Sequence, residues 1–161
     1  MDPSTTASIT EFAIVVAGFT GLVLAIGTRD GVTNPVVKLR SITMLFYAFT
    51  AAFGSILPTL FTSFGAQNPW RSSAAVLAVL LAGNMVGTIV SARVLLSVEQ
   101  RPQLMGWMWV LVIGGNTTFS ALLIGSILGM FPFPATGPFF GALVWQLILS
   151  TILFTRIVLR A

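Results

Sequence analysis

The stretch SAAVLAVLLAGNMVGTIVSARVLL, residues 73–96, carries one charge, Arg93, across its whole length. Coiled as an α-helix at 1.5 Å rise per residue, it measures about 36 Å, enough to cross the roughly 30 Å hydrocarbon core of a bilayer. Asn84, Thr88 and Ser91 follow one another at steps of four and three, so they occupy one stripe of that helix. Gly83 and Gly87 lie beside them as a small-xxx-small step of the kind that lets helices approach closely in lipid. The segment reads as a spanning helix with one specialised face.

Four more apolar runs lie to either side of it, at about 9–27, 41–64, 105–130 and 138–158. Between the last two, the uncharged connector 131–138 holds Pro132, Pro134 and Pro138. A helix cannot pass through that many prolines unbroken, and each flank is long enough to span. A tight surface turn is therefore expected there rather than a re-entrant loop. Pro58 is expected to kink the second run.

Charge supplies the orientation. If the five runs alternate direction, Arg29, Lys38, Arg40, Arg93, Arg101, Arg156 and Arg160 share one side, and Arg71 alone faces the other. Basic residues favour the cytoplasm, so the expected arrangement has the N-terminus outside and the C-terminus cytoplasmic. The leading segment carries Asp2 and no base, unlike a signal peptide, and the first run is expected to be retained. The fold expected is an all-α polytopic membrane bundle of five transmembrane helices, one domain over residues 1–161. The bacterial inner membrane is the expected location.

Composition agrees and excludes much. Of 161 residues 56% are hydrophobic and 7% charged, against about 25% charged in a soluble domain. Twelve charges cannot clothe a soluble exterior of this size. The bases stand singly at the ends of apolar runs, with no basic, aromatic-interleaved patch, so nucleic acid is not an expected partner. There is no His and no Cys, which removes thiol chemistry, the commonest metal ligand and the commonest general base. With four acids and no shared carboxylate face, no enzyme, metal or cofactor is expected.

The polar residues inside the runs are the candidate site. Asn84 and Asn116 each fall about eleven residues into their runs, near mid-bilayer, where two amides at one depth can pair. Thr43, Tyr47, Thr50 and Gly54 recur at heptad-like spacing, and Gln146 stands one turn before Ser150. Such stripes commonly hold helices together; they can equally line a route for an ion or solute. The candidate polar path comprises Glu11, Asn84, Thr88, Asn116 and Gln146. Glu11 can instead pair with Arg71 on the outer side, or serve as a charge favourable to its helix N-terminus.

These features point to a small-solute permeation protein or ion channel, assembled from several identical copies because five short-looped helices leave little room for a pore alone. The alternative is a non-transporting subunit that packs through its small-residue stripes against an intramembrane protein partner.

Overall fold

The computed structural model describes residues 35–99, 107–131, 134 and 136–158, together with Glu11, Ile14, Gly18 and Gly21. Four helices account for nearly all of it: α1 (Pro35–Ser63), α2 (Pro69–Leu95), α3 (Trp107–Ile127) and α4 (Thr136–Val158). Each is long and apolar enough to cross a membrane. The expected run 9–27 lies outside the described residues apart from its four single positions, which are helical and exposed. The described bundle thus holds four spans, where the sequence suggests five.

Two helices begin earlier than expected, and for one reason. α1 opens at Pro35 rather than residue 41, and α2 at Pro69 rather than residue 73. Proline suits a first helical position, because its fixed φ is already helical and its missing N–H would have no partner there. Lys38 and Arg40 consequently belong to the first turns of α1, not to a loop. Pro58 lies within α1, which runs on past it to Ser63.

Two helices end on the same device. After α1, Gly65 adopts φ +71°, its N–H meets Thr62 O at 3.0 Å, and the Ala66 N–H meets Phe61 O at 3.0 Å. After α3, Gly129 also adopts φ +71°, with Gly129 N–H to Ser126 O at 3.3 Å and Met130 N–H to Gly125 O at 2.9 Å. This paired closure is the Schellman motif, which satisfies the last carbonyls and turns the chain aside. A proline follows each time, Pro69 and Pro132. Segment 131–138 therefore separates two helices, and α4 resumes at Thr136.

The helices form a square. α1 packs on α2 and α4, α3 packs on those same two, and α2 touches α4 lightly across the diagonal. Short connections make sequential neighbours antiparallel. Inside, Ala74, Leu77, Leu81, Leu123, Phe139 and Leu143 fill one half, sealed at its end by Trp70 set edge-on to Phe139 with ring centroids 5.8 Å apart. Met44, Tyr47, Val112, Leu149 and Leu153 fill the other half, and Val36, Leu39, Ala92 and Leu96 close its end.

The outside is apolar as well: Phe46, Phe49, Phe53, Val79 and Val110 are all exposed. Outward hydroxyls turn back on their own helices, with Thr118 donating to Gly114 O at 2.8 Å and Thr151 to Leu147 O at 2.8 Å. Such bonds need no water, which suits a surface facing lipid.

An alanine at Gly65 or Gly129 would have to hold the left-handed backbone, at a cost of roughly 1–2 kcal/mol. Each substitution is expected to lower the unfolding midpoint of the detergent-solubilised protein, followed by circular dichroism.

Candidate functional site: a polar level at mid-bundle

The midpoints of the four helices fall at Phe49, Ala82, Thr117 and Leu147. Within two residues of each stands a polar side chain turned inward: Thr50, Asn84, Asn116 and Gln146. One residue from every helix thus meets at one height. The apolar halves of the core lie above and below this level.

The four are joined in sequence by hydrogen bonds. Asn84 Nδ2 donates to Thr50 Oγ1 at 2.8 Å and, at 3.4 Å, to Gln146 Oε1. Gln146 Nε2 donates to Asn116 Oδ1 at 2.8 Å. Gln146 is 0% exposed and Asn116 1%, so the second of these bonds is fully enclosed. One turn along α4, Ser150 Oγ donates to Met44 O at 3.2 Å and ties α4 to α1. Thr88 Oγ1 donates to Asn84 O at 2.7 Å and stays on its own helix.

The expected contact between Asn84 and Asn116 is made through an intermediary. Gln146 carries one more methylene than asparagine, and its amide lies between the two. Depth in the membrane could be read from the sequence, but the rotation of α4 that brings Gln146 between them could not. Thr50 and Tyr47 were visible only as members of a heptad-spaced stripe; the structure buries all of Thr43, Tyr47, Thr50 and Gly54.

Three buried polar atoms have no hydrogen-bond partner: Tyr47 Oη, Asn116 Nδ2 and Trp145 Nε1. The Tyr47 hydroxyl lies toward Thr88 and Asn116 without reaching bonding geometry with either. The Trp145 indole lies directly against Gly115, whose missing side chain admits it. Every one of the three can donate a proton, whereas the oxygens of Thr50, Gln146 and Asn116 already accept. The polar level is therefore rich in unspent donors.

Two spaces adjoin it. A cavity of about 50 Å³ lies toward the α1 N-terminus, lined by Arg40, Thr43, Thr88, Trp109 and Arg156 among others. Arg156 is held there with its guanidinium 4.8 Å from the Trp107 ring centre. On the outer face of α1 and α2, a groove of about 550 Å³ is bordered by Phe46, Phe49 and Phe53 and floored by Gly83, Asn84, Gly87 and Thr88.

Of the sequence-derived candidates, Asn84, Asn116 and Gln146 share direct bonds, and Thr88 sits beside them. Glu11 is exposed on its helix. Arg71 places Nη2 3.7 Å from where a Cβ on Gly129 would stand, beside the carbonyl end of α3, where a cation is favoured.

A double-mutant cycle of Gln146→Ala with Asn116→Ala is expected to give a coupling of about 0.6–1.7 kcal/mol, the span measured for polar contacts in membrane bundles. Gln146→Ala with Asn84→Ala should couple more weakly, in line with the longer 3.4 Å contact. Denaturation in mixed micelles measures both. Comparison with known proteins finds no matching family model, no matching curated protein and no matching solved structure.

Proposed function

We propose that the chain is a membrane permeation protein for an ion or small polar solute, with the mid-bundle polar level as its selective site. The observation behind this reading is the set of unspent donors at Tyr47, Asn116 and Trp145. A buried donor without a partner costs about 1–3 kcal/mol. Polar contacts that served only to hold the helices would gain nothing from leaving three unmatched, whereas a transient guest would satisfy them as it passes. Leucines close both sides of the level, so passage requires the helices to part or side chains to swing, as at an occluded site.

The basic end supports an orientation. Lys38, Arg40, Arg93 and Arg156 lie at the end formed by the α1 and α3 N-termini and the α2 and α4 C-termini; among described cations only Arg71 lies at the other. We place the basic end in the cytoplasm, with run 9–27 as a fifth span whose N-terminus is outside and the bacterial inner membrane as the location. Assembly into a homo-oligomer belongs to the same reading, as does the absence of an enzymatic activity.

The second reading, a non-catalytic subunit of a larger membrane complex, draws on the groove along α1 and α2. Gly83 and Gly87 meet nothing within 4 Å of a built Cβ and leave backbone open to a neighbouring helix.

Purified protein reconstituted in liposomes tests the choice. Permeation predicts solute or ion flux that falls at least tenfold in Asn116→Leu and Gln146→Leu variants that still fold. Glu11→Gln, at an exposed position, is expected to alter flux or assembly if Glu11 gathers ions at a mouth. No flux from folded wild-type protein across a panel of ions and small solutes would favour the subunit.

A further inference from the structure

We infer that the cavity at the Arg40 end is a binding site for a small monovalent anion of the halide class. This deepens the permeation reading by naming what the polar level selects, and it rests on that reading only for transport, not for binding.

The cavity measures about 50 Å³, and its polar lining is Arg40, Thr43, Thr88 and Arg156, against Trp109 and Leu153. Roughly 10–15 Å³ suffices for one water, so the space admits a small anion with some of its water and excludes bulky organic acids. Two guanidinium groups stay charged at every physiological pH. No carboxylate occurs anywhere in α1–α4, so the local field has one sign.

The site also has an inner side. Thr88, part of the cavity lining, neighbours the Tyr47 hydroxyl, which lies toward Asn116. Tyr47 stands one turn beyond Thr43 on α1, is 0% exposed, and has an O–H with no partner. Asn116 Nδ2 likewise offers its protons to nothing. From the mouth inward the groups on offer are guanidinium N–H, hydroxyl O–H and amide N–H. A cation would want oxygens instead, and the amide oxygens of Asn116 and Gln146 are already engaged. Donor excess and positive charge select an anion.

The test uses the whole chain in nanodiscs of zwitterionic phosphatidylcholine, so that no lipid phosphate with a net negative charge competes. Chloride binding is followed by chloride-35 NMR line broadening against sodium gluconate as control. Saturable binding is expected, weakened at least fivefold in Tyr47→Phe and in Thr43→Val, two near-isosteric changes that each remove one hydroxyl. Arg156→Gln should abolish it. Loss of the helical circular dichroism signal disqualifies a variant, and the remaining ones decide. No saturable chloride binding by folded wild-type protein, or binding indifferent to all three changes, overturns the inference.

Flux separates the two claims. Chloride binding without transport in liposomes supports the anion site and sinks permeation. Transport of potassium or a neutral solute, with no chloride binding, overturns the anion site and leaves permeation standing.

Discussion

Lipid offers a polar side chain nothing to bond, so every amide placed inside this bundle has to find its partner in protein. Gln146 meets that demand from both ends of one side chain. Its oxygen accepts from Asn84 and its nitrogen donates to Asn116, and Asn84 extends the chain to Thr50. Three helices are thereby fixed in rotation to α4 at a single height. The leucine and phenylalanine layers could pack in many rotations of similar energy; four amide and hydroxyl groups at one level can pair in few. The apolar layers supply close contact, and the polar level selects which contact.

The same demand makes the unmet donors informative. Tyr47, Asn116 and Trp145 each bury a polar hydrogen that nothing accepts, within a few residues of a network that is otherwise matched. Their clustering near a cavity with two arginines gives the excess a direction. An interior tuned only for stability would have closed these positions with aliphatic side chains, as it does at Leu77, Leu81 and Leu143.

Much of the architecture was legible in the sequence, because hydrophobic length and proline position are local properties. The runs that became α1 to α4 could be counted, and the break at 131–138 could be placed, from Pro and Gly alone. The starts at Pro35 and Pro69 were misjudged: charged Lys38 and Arg71 were assigned to loops, although long basic side chains can leave a helical backbone for the interface. Within the site, Asn84, Asn116 and Gln146 were recognisable as deep amides. Their order of bonding was not, since it depends on how far each helix turns relative to its neighbours, and no short stretch of sequence records that. Tyr47 and Thr50 were dimmer still, being ordinary members of a stripe until the neighbouring helices supplied their surroundings.

The glycine closures after α1 and α3 have a consequence for biogenesis. Each folds its helix sharply back toward the next, so the chain enters the bilayer as two helical hairpins, α1–α2 and α3–α4. The shortest side-chain bonds between helices lie within these units: Asn84 to Thr50 at 2.8 Å in the first, Gln146 to Asn116 at 2.8 Å in the second. The bonds that cross the seam between them are longer, 3.4 Å from Asn84 to Gln146 and 3.2 Å from Ser150 to Met44. Either hairpin can therefore arrive in the membrane with its strongest polar contact already made, and the seam is the plane along which the finished molecule is least tightly stitched.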